Sequence, residues 1–174
     1  MTPTEQFIRQ LGALQAGERS RLRSLAGQPL HQTVPGFDLF TALWRPVRQG
    51  GGRQPSWLVA KLFGAFPLPP VRGESLPAIV GTCEPGDEDA GKRWRDRFDA
   101  LLQTPLSQLE PHLGWALSVA AHAVAAGRAK GMDWVRLLHD LSRWERDEEQ
   151  GRRRDVRDIW AKEYLKAAKQ PGRS

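Results

Sequence analysis

The residues best placed to do chemistry are arginines set at helical spacing near the C-terminal end of the chain. Over residues 134–146, Trp134, Leu137, Leu138, Leu141 and Trp144 follow the i, i+3, i+4, i+7 spacing of one helix side. At 100° per residue, Arg136, His139, Arg143 and Arg146 then fall on the opposite side. Over residues 154–167 the expected buried stripe is Val156, Ile159, Trp160 and Ala167, with Arg154, Arg157 and Ala161 pointing away from it. A guanidinium is a planar fork that donates two parallel hydrogen bonds and never loses its charge at neutral pH, which suits a phosphate oxygen pair. A row of them on a helix side that needs no packing points to a polyanion. The competing reading is a solvated side that is basic without a ligand.

Other chemistry is missing from the sequence. The four histidines, His31, His112, His122 and His139, lie far apart and lack the HExxH spacing of a zinc protease. No glycine-rich phosphate loop, GxSxG elbow or Cys/His pair occurs. Asp87, Glu88 and Asp89 cluster three carboxylates, but without the alternating ligands and distal Glu of a calcium loop. An acidic solvated loop is the simpler expectation. Cys83 is the single cysteine, so no internal disulfide forms and no cysteine-based zinc site is built. A non-catalytic protein without cofactor or metal is expected.

Charge is segregated along the chain. The total is +6, and residues 1–73 carry 9 Lys/Arg against 3 Asp/Glu, residues 74–135 carry 6 against 9, and residues 136–174 carry 11 against 8. Both ends are basic around an acidic middle, which favours an acidic partner such as nucleic acid. No apolar run approaches the roughly 18 residues of a spanning helix. The N-terminal residues also lack the basic, apolar and small-residue parts of a secretory signal, so a cytoplasmic location with no membrane partner is expected.

The elements that must position these groups read as helices throughout, because no segment sustains period-two alternation. Thr4 is the expected N-cap of a first helix with Phe7, Leu11 and Leu14 on one side, ended by Gly17. A second helix over residues 18–26 carries Arg19, Arg21 and Arg23 around Leu22 and Leu25. A turn-rich stretch follows over 28–36, a short helix over 37–44, and a glycine-rich loop over 49–55 that includes Arg53. Ser56 is the expected cap of a helix with Leu58, Val59, Leu62, Phe63 and Phe66 on its apolar side. Trp57, Ala60, Lys61 and Gly64 would then lie on the other side. An outward Trp57 beside Lys61 would serve stacking and phosphate contact, while the alternative packs Trp57 on a neighbouring lobe.

Residues 67–91 read as proline, glycine and acid without a period, the best lobe boundary. Beyond it, residues 92–103 set Trp94, Phe98, Leu101 and Leu102 inward with Arg93, Arg95 and Arg97 around the rest. Thr104–Pro105 reads as a helix start, Pro111 as a restart or kink. An alanine-rich helix follows through Leu113, Leu117, Ala120, Ala121 and Val124, ended by Gly127. The expected organisation is all-α: an N-terminal lobe over 1–73, an acidic Pro/Gly-rich connection over 74–91 and a C-terminal bundle over 92–174.

In order along the chain, the motifs FIRQLGALQ (7–15), RLRSLA (21–26), Pro35, Trp44 to Pro46, SWLVAKLFGAF (56–66), RFDALL (97–102), DWVRLLHDLSRW (133–144) and WAKEYL (160–165) resemble the CasB family. That family is the small subunit of the type I-E CRISPR surveillance complex, Cascade. The resemblance implies two small helical lobes without catalytic activity, present in two head-to-tail copies along the backbone subunits. It also implies contact with the large subunit, the guide RNA, and the target and displaced DNA strands, stabilising the R-loop. Carried over by matching motif, the nucleic-acid-binding residues are Arg21, Arg23, Lys61, Arg97, Arg143 and Arg146. The helical-face argument adds Arg53, Arg136, Arg154 and Arg157. A free-standing helical DNA-binding regulator and a basic helical scaffold for an acidic protein remain as alternatives.

Overall fold

The computed structural model describes residues 2–28, 40, 52–151 and 155–169. The expected turn over 29–36, the short helix over 37–44 apart from Phe40, and Arg154 lie outside the described residues. Those described form α1 (Pro3–Gly12), α2 (Ala16–Ser24), α3 (Arg53–Ala65), α4 (Leu76–Thr82), α5 (Glu88–Leu102), α6 (Glu110–Ala125), α7 (Trp134–Glu149) and α8 (Asp155–Ala168). A 3-10 turn, Leu106–Gln108, precedes α6. Among the described residues no strand forms, one isolated bridge pairs Pro70 with Met132, and no helix is long and apolar enough to cross a bilayer. The protein is all-α.

Several helices begin earlier than the sequence reading placed them. α1 is capped by Thr2, whose hydroxyl accepts from the Glu5 amide at 3.1 Å while the Glu5 carboxylate accepts from the Thr2 amide at 2.9 Å. This reciprocal box leaves Thr4 buried inside the first turn. Glu18 likewise accepts from the Gln15 amide, so Gly17 lies within α2 and ends nothing. Gly52 caps α3, which puts Ser56 inside the helix and buries it. Asp87 caps α5 by accepting from the Ala90 amide at 2.9 Å, and Glu88 and Asp89 fill its first turn. The acidic triplet is therefore a helix start, where negative charge meets the positive end of the dipole.

The connection over 74–91 holds a helix of its own. α4 buries Leu76, Pro77, Ile79 and Val80, chiefly against α8. The two backbones come so close that a Cβ on Gly81 would collide with the Tyr164 carbonyl oxygen, so glycine is required there. Pro111 restarts the chain as the first turn of α6, and Gly127, at φ +75°, ends that helix in the left-handed region that favours glycine.

The buried side chains form one continuous cluster. α1 and α3 pack on α7, α2 packs on α3, α3 also reaches α6, and α8 contacts α4, α5 and α7. The N-terminal and C-terminal helical groups thus meet through a shared core. It includes Trp57, Trp134, Trp144 and Trp160, each at most 2% exposed. Their indole N–H groups donate to Gln28 O, Leu68 O, Thr104 O and Asp140 Oδ2 respectively. Burial of an aromatic ring this large needs such a partner for its polar atom.

Candidate nucleic-acid interface

α7 orients the strongest candidates. Trp134, Leu137, Leu138, Leu141 and Trp144 are all buried, which turns the arginine side of the helix away from the core. Arg146 and His139 are exposed there and Arg143 is half-buried. A groove of about 670 Å³ runs beside them, lined by Arg136, His139 and Arg143 and by Arg72 from the turn before α4. Thr2, Glu5, Asp133 and Asp140 also line it, with Pro70, Val71, Trp134 and Val135 between them, so the groove is mixed in charge over a partly apolar floor. Arg72 was not among the residues singled out from sequence. It stands alone in a Pro/Gly-rich stretch, and only the fold carries it to α7.

Arg136 is held by the protein itself. Its Nη1 contacts Glu163 Oε1 at 2.5 Å and its Nε lies 3.2 Å from Asp140 Oδ2. Burial works against its charge, but hydrogen bonding to Glu163 and attraction to Asp140, Glu163 and Asp133 outweigh it and raise its pKa above the ordinary value. Burial raises the Asp140 pKa, opposed by the Trp160 N–H and by Arg136. The partners therefore pull in different senses; the short contacts and the raised arginine pKa identify a charged pair at neutral pH. Arg136 braces α7 against α8 and lends the groove only what its partners leave.

Two further candidates turn inward. Lys61 is 4% exposed, with Nζ 2.6 Å from Glu110 Oε1 and 2.8 Å from Gln28 O. α3 is buried from Pro55 to Gly64, so it has no outward side on which Trp57 and Lys61 could stand. The reading of that pair as a surface for stacking is reversed, and Trp57 packs on Phe40 with ring centroids 5.1 Å apart. Arg157, expected to point away from the core, has a 12% exposed side chain. Its Nη2 donates to Glu148 Oε1 at 3.0 Å, and its guanidinium lies 4.6 Å from the Trp144 ring centroid. On the same helix Ile159 is exposed, contrary to the expected stripe, because Val156, Trp160, Tyr164 and Ala167 take the buried positions.

The remaining candidates fall into groups. Arg53 is exposed in the first turn of α3, whose preceding amide, Gly52 N, donates to Ser142 Oγ at 3.4 Å. That contact sets the start of α3 against the turn of α7 that carries Arg143 and Arg146. Arg21 and Arg23 are exposed on α2, which meets α3 near Gly64, a helix length of about 16 Å from Arg53. Arg97 is exposed on α5, its guanidinium 4.9 Å from the centroid of Trp115. The structure thus brings Arg72, Arg136 and Arg143 to one groove beside α7, with Arg146 exposed further along the same helix, and leaves the α2 pair and Arg97 apart.

These features define a small all-helical module with an arginine-edged helix side. The chain belongs to the Cse2 family of CRISPR-associated proteins: the family model "CRISPR-associated protein Cse2" matches residues 18–165. Solved structures share the fold. A Cse2-family CRISPR-associated protein of Thermus thermophilus is 24% identical, with a TM-score of 0.66 over 95% of this chain and 99% of that one. The CasB of M. ruber is 19% identical, with a TM-score of 0.69 over 95% and 94%. A separate structure of CasB from Thermus thermophilus is 25% identical, with a TM-score of 0.63 over 95% and 99%. Comparison with curated proteins returns no match. The kinship expected from the motifs and the all-helical fold are both as read from the sequence.

Proposed function

We propose that this chain is the non-catalytic small subunit of a cytoplasmic type I-E Cascade complex, holding nucleic-acid backbone without regard to sequence and so stabilising the R-loop in antiviral defence. The observation that carries the reading is the Arg143–Arg146 edge of α7, with Arg72 lining the groove beside Arg143, in a member of the Cse2 family. Its partners are guide RNA, the target and displaced DNA strands, the backbone and large subunits, and a second copy of the chain.

The physics suits the role. Exchange of a DNA duplex for a guide–target hybrid is nearly balanced, so a few backbone contacts tip it. Each phosphate neutralised by an arginine releases counterions, giving affinity that falls with salt and ignores base identity. α7 places no Asn, Gln and Arg together at its N-terminal end as a base-reading helix does.

Mobility shift of the full chain with unrelated DNA sequences tests this. Arg143→Ala with Arg146→Ala is expected to weaken binding by a similar factor on every sequence and to lower the salt slope by about two. Unchanged affinity at low salt overturns the assignment of this helix edge.

A further inference from the structure

Of the tryptophans in the described residues, five donate their indole N–H to a named acceptor: Trp57, Trp94, Trp134, Trp144 and Trp160. Trp115 is the exception: it has no such acceptor named among the described residues, and its N–H is not a buried orphan. It stands half-buried on α6, with the exposed Arg97 guanidinium laid over its ring at 4.9 Å. Trp94, whose N–H is fastened to Val80 O at 3.0 Å, meets it edge-on with centroids 5.3 Å apart and planes at 70°. The ring is therefore held in place by another ring that is itself anchored. Arg93, one turn before Arg97 on α5, and His122, two turns after Trp115 on α6, are exposed on the corresponding sides of their helices.

We propose that Arg97 and Trp115 form a stacking seat for one unpaired base of a single DNA strand, with Arg93 and the Arg97 N–H edges meeting the adjoining phosphates. An aromatic face and a guanidinium plane both accept any base, because every base has a π-surface. Arg93 and Arg97 are the cations at the rim, each able to meet a phosphate oxygen pair, and the exposed Asp89 and Asp96 share that side of α5. This rests on the nucleic-acid reading above but involves different helices, α5 and α6, from the α7 edge. The contact is sequence-tolerant and depends on the base being unstacked, so it discriminates single strand from duplex.

The test titrates the full chain at low salt with a labelled thymidine strand and with an abasic strand of equal length and charge. Wild type is expected to bind the thymidine strand about ten-fold more tightly, the scale of one stacked base. That ratio should fall towards one in Trp115→Ala, be largely kept in Trp115→Phe, and fall in Arg97→Lys, which keeps the charge and loses the plane. Arg97→Lys also guards against misfolding of the alanine variant, since both side chains are exposed and basic. Equal wild-type affinity for the two strands overturns the seat, as does a ratio that survives both Trp115→Ala and Arg97→Lys. Loss of co-purifying Cascade subunits in Trp115→Ala with the ratio intact also overturns it, assigning the surface to a protein. Failure of wild type to bind either strand instead sinks the wider nucleic-acid reading.

Discussion

Lys61 and Glu110 form an ion pair at 2.6 Å that ties three helices together. Lys61 lies in the middle of α3 and Glu110 in the first turn of α6, where its charge also meets the helix dipole. The second carboxylate oxygen accepts from the Gly27 amide at 2.7 Å, just beyond α2. A lysine that looks like a phosphate contact in the linear sequence thus serves as an internal strut.

Replacing Lys61 with Met is expected to destabilise the fold by about 3 kcal/mol, because it strands a carboxylate packed against the core. The figure sits at the low end for such pairs, since Glu110 keeps its Gly27 contact and 20% of its side-chain exposure. Lys61→Met combined with Glu110→Gln should cost less than the sum of the two changes. Urea unfolding measures both. DNA affinity of the folded Lys61→Met protein should match wild type, and a drop in affinity with stability intact would return Lys61 to the binding surface.

Arg157 and Arg146 should separate stability from binding. Arg157→Ala removes the contacts with Glu148, Thr104 O and the Trp144 ring. A loss of about 2 kcal/mol is expected, or a melting temperature lower by roughly 4–8 °C. Arg146→Ala, on an exposed position, should leave the melting temperature in place and weaken DNA binding. The opposite pattern would exchange the roles assigned to the two arginines.

Glu145 supplies a pH signature. Burial raises its pKa above the ordinary carboxylate value, with repulsion from Glu149 and Glu148 adding to the effect. The folded protein therefore holds this proton more tightly than the unfolded chain. Ionised Glu145 costs stability at neutral pH, and the cost fades as the pH falls through the raised pKa towards the ordinary range. Glu145→Gln should melt above wild type at pH 7, with the difference closing by about pH 4. Melting curves across that interval check the sign; a wild-type advantage at pH 7 would contradict it.

The α7 stripe was readable in the sequence because five apolar residues keep one period and a charged side opposes them. α3 was not, since α2, α6 and α7 enclose it and a helix buried all round presents no outward side for a period to reveal. On α8, Ile159 and Trp160 competed for the core by sequence alone. The choice falls to Trp160 and Tyr164, whose hydroxyl donates to Glu84 at 2.6 Å and whose ring stacks on Phe98 at 4.5 Å. α4, at seven residues, is too short to show a period.

Amino-acid order alone settled the all-helical class, the family and the outward aim of Arg143 and Arg146, because these follow from local periodicity and ordered motifs. Which cations remain available to a ligand was decided only by tertiary structure. Glu110, Glu163 and Glu148 reach Lys61, Arg136 and Arg157 from other helices, across 49, 27 and 9 residues of chain. Ion pairing depends on separations of a few ångströms between helices, and helical periodicity carries no information about which helices will meet.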